Sequence, residues 1–223
     1  MVIFFDLDDT LYERAKPFID TYMSIYGECT YEFAQNLYNA CSYRGDQVFL
    51  PSQRGDITME QMYIYKYCNG FTDLGLRISA REALEFQNVY RANQQKIVRA
   101  NGVLEALVHC KDRYESVGIL TNGPSDNQRE KIANLRIESL INPEFIVISK
   151  EVECAKPDPR IFEIAAQKAG KAPSELIMVG DSLERDIIPA VKLGWHTVWL
   201  NLKKETPQGE YLPERIIYSM DEL

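Results

Sequence analysis

The residues of this sequence that could do chemistry are carboxylates that follow short apolar runs. Asp6 and Asp8 come after the run Val2–Phe5, and Asp181 comes after the run Leu176–Val179. Both runs lack polar alternation, which is typical of strands buried on both faces. Ligands of an open parallel sheet bind outside the carboxyl ends of its strands, so we predict that these carboxylates share one rim.

Two further runs of this kind lead to a hydroxyl and a cation. Thr121 and Asn122 stand at the end of one run, and Lys156 comes shortly after another. Asp186 closes the acidic segment that begins at Asp181. Each of these residues is common by itself, but their joint placement after four strand ends points to one functional rim.

The chemistry of such a rim follows from its charges. Neighbouring carboxylates raise one another's pKa unless a cation lies among them, and the hard oxygens of Asp6, Asp8 and Asp181 suit Mg²⁺. The metal ion and Lys156 would then bind a phosphate dianion, and an oxygen of Asp6 would attack phosphorus in line. Asp8 would protonate the leaving alcohol and later activate water, while the Thr121 hydroxyl would hold the transferring oxygens.

The elements that must position these residues are strands alternating with helices. Helical spacing is clear in the segments that begin at Val103, follow Asp158 and surround Pro189; Gly194 is expected to end the last of these helices. This alternation predicts an α/β fold, a Rossmann-like open parallel sheet with helices on both faces. The predicted strands are Val2–Phe5, Val117–Leu120, Phe145–Ile148, Leu176–Val179 and Thr197–Leu200, with a short one around Ile216–Tyr218.

The segment 15–96 breaks the alternation. It has few β-branched runs and many Tyr, Gln and Asn residues, and Thr58 resembles a helix start. We therefore predict two domains, an α/β core of residues 1–14 and 97–223 and an inserted α-helical domain of residues 15–96.

Composition and charge exclude several classes of protein. The 223 residues carry a formal net charge of −8, and 45% of them are hydrophobic, as in ordinary globular proteins. An acidic surface repels phosphate backbones, so no nucleic-acid partner is expected. No apolar run approaches the ~18 residues of a membrane span, so no membrane partner is expected either. The five dispersed cysteines fit reduced thiols, which predicts a cytoplasmic location; the oligomeric state stays open.

Four motifs together resemble those of the haloacid-dehalogenase (HAD) superfamily of hydrolases. Their order and spacing are similar to the subgroup in which a helical cap is inserted just after the first motif. The motifs are Asp6-Leu7-Asp8-Asp9-Thr10, Ile119-Leu120-Thr121-Asn122-Gly123, Lys156-Pro157-Asp158-Pro159 and Gly180-Asp181-Ser182-x-x-x-Asp186.

The resemblance implies a phosphatase that works through a covalent intermediate. Asp6 would be the nucleophile that becomes an aspartyl-phosphate, and Asp8 would be the acid/base. Thr121, Asn122 and Lys156 would bind the phosphate. The substrate would be a small phosphorylated metabolite, such as a nucleoside monophosphate, a sugar phosphate or phosphoglycolate.

The resemblance also implies a cofactor, Mg²⁺. Asp6 and Asp181 would bind the metal ion through their carboxylates, and Asp8 would contribute its backbone carbonyl. Asp186 would contact these ligands without binding the metal ion itself, or it would reach the metal ion through a water molecule.

Other activities of the superfamily fit the residues less well. Dehalogenases carry no aspartate two positions after the nucleophile, since a halide needs no proton. Hexose-phosphate mutases share the four motifs but read Asp-Gly where this chain has Asp8-Asp9, and they remain the main alternative. Phosphonate hydrolysis would need a lysine of the cap, and no motif marks Lys16 or Lys66.

Two alternatives lie outside the superfamily's enzymes. A receiver domain also takes up phosphate on an aspartate, but it could not hold the long insertion between Thr10 and Thr121. A non-catalytic module that binds a phosphoaspartate or another ligand is disfavoured because every key group is present.

Overall fold

Two units make up the part of the chain that the structure, a computed structural model, resolves in detail. One consists of Met1–Glu13 with Val98–Leu223, and the other of Arg14–Ile97. That the second unit serves as a cap stays a prediction. The described residues are 1–207 and 209–223, with the side chains of Leu50 and Gln53 left aside.

The first unit is built on a six-stranded sheet in the described part of the chain. Its strands are β1 (Val2–Phe5), β2 (Ser116–Thr121), β3 (Ile146–Ile148), β4 (Leu176–Gly180), β5 (His196–Leu200) and β6 (Arg215–Ile217). All neighbours pair in parallel in the order β3-β2-β1-β4-β5-β6. The predicted Rossmann-like α/β fold is confirmed, and each predicted strand overlaps an observed one.

Aromatic side chains pack against the centre of this sheet. The Phe4 ring lies 5.7 Å from the ring of Trp195, which in turn lies 5.7 Å from the ring of Phe162. Gly118 of β2 permits this packing, because a Cβ atom there would come within 2.6 Å of the Phe4 ring. The two central strands β1 and β4 are apolar and buried along their whole length, as expected for strands with both faces covered.

The second unit is helical. Its helices are α1 (Lys16–Tyr26), α2 (Tyr31–Arg54), α3 (Met59–Asp73) and α4 (Ala80–Gln94). The predicted helix start at Thr58 is confirmed by a capping box. The Thr58 hydroxyl accepts a hydrogen bond from the backbone N–H of Gln61, and the Gln61 side chain accepts one from the backbone N–H of Thr58.

The core of the helical unit is aromatic. The Phe86 ring lies 4.9 Å from that of Phe18 and 5.0 Å from that of Tyr67. A Cβ atom at Gly70 of α3 would come within 2.5 Å of the sulfur of Cys41, so glycine allows α2 and α3 to pack closely. This explains why a tyrosine-rich segment forms a packed helical unit.

The remaining helices belong to the sheet unit. They are α5 (Val103–Arg113), α6 (Ser125–Asn134), α7 (Ser149–Val152), α8 (Pro159–Ala169) and α9 (Ile188–Lys192). Helix α6 was not predicted, because its sequence is polar and carries no apolar period. Among the described residues, no helix has both the length and the apolar composition needed to cross a bilayer.

The helix around Pro189 differs in one respect from the prediction. Pro189 lies in the first turn of α9, as expected, but a π-helical turn, Leu183–Ile187, precedes it. Proline offers no N–H and its ring crowds the carbonyl four residues earlier, so a wider turn fits where a regular α-helix would not. This π-helical turn carries Asp186.

Candidate active site

The site lies where the strand order of the sheet reverses. Strand β1 lies between β2 and β4, and the backbone N–H of Asp6 continues the ladder by donating to the Val179 carbonyl at 2.9 Å. Asp6 therefore leaves β1 beside the end of β4, and Asp181 follows that end directly. Ligands of such sheets bind in the crevice at this switch point.

Three carboxylates and one ammonium form the centre of the site. Asp6, Asp181 and Asp186 each offer an oxygen, and these oxygens lie within 4.8 Å of one another. The Nζ atom of Lys156 donates to Asp6 Oδ1 at 2.6 Å and to Asp186 Oδ1 at 2.5 Å. Asp6, Asp186 and Lys156 are all buried.

Contacts near the strand ends hold Asp181 and Asp186 in position. The backbone N–H of Asp181 donates to the Thr10 hydroxyl at 3.2 Å, and Trp199 Nε1 donates to the Asp181 carbonyl at 2.8 Å. The carboxylate of Asp186 packs on Gly180, where a Cβ atom would lie within 2.5 Å of Asp186 Oδ2. A glycine at the end of β4 is thus required for Asp186 to reach the cluster.

The negative charges of this cluster outnumber its positive charge, and the pKa values of two of its carboxylates are raised. Burial raises the pKa of Asp6 to about 6; Lys156 opposes this shift, and the charges of Asp186 and Asp8 add to it. Burial, with the charges of Asp6 and Asp186, raises the pKa of Asp181 to about 7. Three carboxylates face a single ammonium, so the donor set, hard oxygens with excess negative charge, fits a divalent cation such as Mg²⁺.

Asp8 points its carboxylate to a different set of partners. Lys131 Nζ lies 2.7 and 3.0 Å from its two oxygens, and Gln128 Nε2 donates to Oδ2 at 3.0 Å. The Tyr12 hydroxyl donates to Oδ1. Burial alone would raise the pKa of Asp8, but these partners, Lys131 foremost, lower it below its ordinary value. The side chain of Asp8 is therefore held ionised and apart from the three-carboxylate cluster.

Thr121 and Asn122 connect these two groups of residues. Gln128 Nε2, which donates to Asp8, also donates to Thr121 Oγ1 at 2.7 Å. The Asn122 side chain donates to the Lys156 carbonyl and accepts from the Lys156 N–H, both at 2.9 Å. The amide of Asn122 is thus engaged in fixing the backbone that carries Lys156.

The structure brings together most of the predicted residues, with one regrouping. The carboxylate of Asp186 joins those of Asp6 and Asp181, while that of Asp8 turns to α6. Sequence reasoning missed Gln128 and Lys131, which α6 presents three residues apart on one face. The only available signal was the position of these two polar residues just after the Thr-Asn-Gly motif.

Replacing Lys131 with Met tests the partners of Asp8. We expect a loss of about 1–3 kcal/mol in the free energy of unfolding at neutral pH, because the variant leaves a poorly solvated carboxylate without its cation. The folded-state pKa of Asp8 is lowered, so this stabilisation is present above the pKa of the unfolded chain, about 3.9, and is lost as the pH falls through the folded value.

Urea unfolding of wild type and Lys131→Met between pH 8 and pH 3.5 measures the difference. Lys150→Met, at an exposed lysine, is the control and is expected to change the unfolding free energy by less than about 0.5 kcal/mol. A deficit that is as large at pH 3.5 as at pH 7 would show that the ion pair with Asp8 is not its cause.

Curated relatives match the chain over about half of its length. Phosphoserine phosphatase from Thermus thermophilus is 36% identical over 105 residues, which are 46% of this chain and 41% of that protein. Pyrimidine 5'-nucleotidase YjjG from Escherichia coli is 37% identical over 109 residues, 48% of this chain and 47% of that protein. The matched part thus spans less than half the length of either relative.

Solved structures and a family model extend the likeness to most of the chain. A putative HAD-hydrolase, YfnB from Bacillus subtilis, solved with magnesium bound, has a TM-score of 0.72 at 18% identity and covers 99% of this chain and 95% of its own. L-2-haloacid dehalogenases are also among the similar structures, so this likeness shows the fold and not the reaction. A model described as haloacid dehalogenase-like hydrolase matches residues 3–200, and the chain therefore belongs to this family.

Proposed function

We propose that the protein is a Mg²⁺-dependent phosphomonoester hydrolase that acts on a small phosphorylated metabolite through an aspartyl-phosphate. The observation that carries this proposal is the pair of carboxylates that follows β1. Asp6 lies against Lys156 in the acidic cluster, and Asp8 is held separately by Lys131 and Gln128. Two carboxylates in different surroundings can take two roles, nucleophile and acid/base.

The metal site of this proposal uses the acidic cluster. Asp6 and Asp181 would bind Mg²⁺, with Asp186 beside them and, as the family resemblance implies, the backbone carbonyl of Asp8. The bound ion would neutralise part of the phosphate charge and polarise the phosphoryl group. It would also lower the pKa of Asp6, which burial raises in the metal-free protein, and so favour the ionised nucleophile.

The first half of the reaction forms a bond between an Asp6 oxygen and phosphorus. Lys156, already in contact with Asp6, would hold an oxygen of the phosphate next to the nucleophile. The Thr121 hydroxyl would bind a second oxygen, while Asn122 keeps the Lys156 backbone in place. Because the carboxylates outnumber the ammonium, phosphate binding is expected to depend on the metal ion.

Asp8 would move the protons. In the first half the leaving alcohol would take its proton from Asp8, which the structure holds ionised against Lys131. Asp8 must therefore first lose the contact with Lys131 and take up a proton from solvent, and it returns to the carboxylate as the bond between phosphorus and the alcohol oxygen breaks. In the second half the ionised carboxylate, which the structure already favours, removes a proton from the attacking water. A halide would need no such proton, so Asp8 favours a phosphate ester over a haloacid as substrate.

The proposal also includes a role for the helical unit and a cellular location. The helical unit Arg14–Ile97 is proposed to act as the cap that selects the substrate, in line with its insertion just after the first motif. A cytoplasmic location is proposed from the cysteine pattern given above. The named relatives act on phosphoserine and on pyrimidine 5'-nucleotides, which supports a small soluble ester.

A phosphate-release screen tests the proposal. Wild type would be incubated with Mg²⁺ and a panel of small phosphate esters, and we expect release from a subset of them. Conversion of a sugar phosphate to its isomer with little free phosphate would instead identify a mutase. Halide release from 2-haloacids, with no phosphate release, would identify a dehalogenase. If no product is detected in any of the three assays, a non-catalytic binding module would be favoured.

A further inference from the structure

The side chain of Gln128 is a buried amide between two residues that the proposed function uses. Helix α6 buries only Gln128 and Ile132, and Gln128 is 1% exposed. Its Nε2 atom donates to Asp8 Oδ2 at 3.0 Å and to Thr121 Oγ1 at 2.7 Å. A side-chain amide has two N–H hydrogens, so both are engaged, one by each partner.

The loop between β2 and α6 leaves room for this amide. Gly123 lies in that loop, and a Cβ atom there would come within 2.9 Å of Gln128 Cδ. The backbone N–H of Gly123 donates to the Ser149 hydroxyl at 3.0 Å, which ties the loop to α7. A glycine at this position is therefore required for Gln128 to reach Asp8 and Thr121 together.

Asp8 determines which end of the amide faces Thr121. Both Asp8 oxygens accept from the Lys131 ammonium, at 2.7 and 3.0 Å, and a carboxylate in this pair has no hydrogen to donate. The amide nitrogen of Gln128 must therefore face Asp8. Since the contact with Thr121 comes from the same atom, the nitrogen faces Thr121 as well.

The contact with Gln128 restricts where the hydrogen of the Thr121 hydroxyl can point. A threonine hydroxyl has one hydrogen to donate and two lone pairs that accept, and an amide nitrogen accepts nothing. The hydrogen must therefore point away from Gln128. In the described part of the chain, Thr121 Oγ1 has no other hydrogen-bond partner. Its hydrogen is thus available to a ligand.

We propose that Gln128 is a positioning residue that directs the Thr121 hydroxyl hydrogen to a phosphate oxygen of the substrate. The inference rests on the proposed phosphatase function, in which Thr121 binds phosphate. A hydrogen bond from a hydroxyl to a charged oxygen is strong when the hydrogen already points at that oxygen. Accepting a hydrogen bond from Gln128 also makes the hydroxyl a better donor, because bonds in a chain polarise one another.

The experiment is a double-mutant cycle between Gln128 and Thr121, with Mg²⁺ present throughout. Gln128→Met keeps the length of the side chain and removes both donors, and Thr121→Val keeps the shape and removes the hydroxyl. Wild type, the two single variants and the double variant are compared in two measurements. One is steady-state phosphate release on the best ester of the screen, and the other is the Kd for inorganic phosphate by calorimetry.

We expect Gln128→Met to lower kcat/KM about 10–100-fold and to weaken phosphate binding about tenfold. In the Thr121→Val background the same change should alter phosphate affinity by less than about twofold, because the hydroxyl that Gln128 directs is absent. In the Thr121→Ser background, which keeps a hydroxyl, Gln128→Met should cost as much affinity as in wild type.

Controls separate this role from a role in folding. Gln167→Met makes the same chemical change at an exposed glutamine of the same unit and is expected to match wild type within about twofold. Thermal unfolding of each variant shows whether the fold is intact. If Gln128→Met loses its thermal transition, Gln128→Asn, which keeps an amide but draws it back by one methylene, takes its place in the cycle.

The outcomes separate this inference from the proposed function. A fall in kcat with unchanged phosphate affinity would mean that Gln128 acts through Asp8 alone and would overturn the inference. An equal loss of affinity with and without the Thr121 hydroxyl would overturn it too, and in both cases the phosphatase would stand. If wild type hydrolyses no ester, the proposed function fails and the phosphate-binding cycle still decides; no phosphate binding by wild type would overturn the inference as well.

Discussion

Asp6→Asn is expected to lower kcat at least about 10⁴-fold, because an amide oxygen is a poor nucleophile toward phosphorus and cannot form a hydrolysable aspartyl-phosphate. The variant should still fold. Asn keeps the size of Asp and can accept a hydrogen bond from Lys156, and the change removes one of three mutually repelling carboxylates. Since burial raises the pKa of Asp6 to about 6, we expect the metal-free variant to be at least as stable as wild type at pH 8.

The measurement is steady-state phosphate release on the best ester of the screen, with Mg²⁺ present. Asp20→Asn makes the same chemical change at an exposed carboxylate of the helical unit and serves as the control, expected within about twofold of wild type. Turnover by Asp6→Asn within tenfold of wild type would exclude Asp6 as the nucleophile. Loss of turnover together with loss of the thermal transition would instead indicate a folding role.

The fold was predictable because its strands carry a simple signal. A strand buried on both faces must be apolar throughout, so runs such as Val2–Phe5 and Leu176–Val179 can be read directly. In a parallel sheet the carboxyl ends of all strands lie at the same edge. The sequence alone therefore predicts that Asp6 and Asp181, which each follow a strand, lie at the same edge. Helix α6 carries no such signal, since its polar sequence buries only Gln128 and Ile132.

The partners of individual side chains were less predictable. Asp186 reaches the cluster only because a π-helical turn precedes α9 and because residue 180 has no side chain. Asn122 was predicted to bind phosphate, yet its amide bonds the backbone of Lys156. Each of these contacts depends on backbone conformation and on distances that no local pattern encodes. The types of chemistry at the rim could be predicted, whereas the pairing within it could not.

Metal binding is expected to depend steeply on pH. Mg²⁺ needs ionised carboxylates, whereas in the metal-free protein the pKa of Asp6 is raised to about 6 and that of Asp181 to about 7. Each proton that must leave weakens the apparent affinity about tenfold per pH unit below the corresponding pKa. The apparent Kd for Mg²⁺ should therefore fall as the pH rises from 5.5 to 7 and level off above about pH 8.

The raised pKa values of Asp6 and Asp181 also predict how the stability of the fold changes with pH, and this change should differ with and without the metal ion. An acid with a raised folded-state pKa destabilises the fold as the pH rises from its unfolded value through its folded value, so EDTA-treated protein should lose stability between pH 4 and pH 8. Saturating Mg²⁺ should offset this loss, by about 2.7 kcal/mol at a hundred times Kd.

Thermal unfolding with EDTA or with Mg²⁺ across this pH range measures both trends, and the same samples are assayed for phosphate release. Asp181→Asn is expected to lose most of the Mg²⁺-induced shift, and Asp20→Asn is expected to retain it. EDTA should abolish turnover and Mg²⁺ should restore it. A Mg²⁺-induced rise in the unfolding temperature that does not change with pH would place the ion outside the carboxylate cluster. The same conclusion would follow if Asp181→Asn kept this rise. Turnover that persists in EDTA would mean that Lys156 alone provides the charge needed to bind and transfer the phosphoryl group.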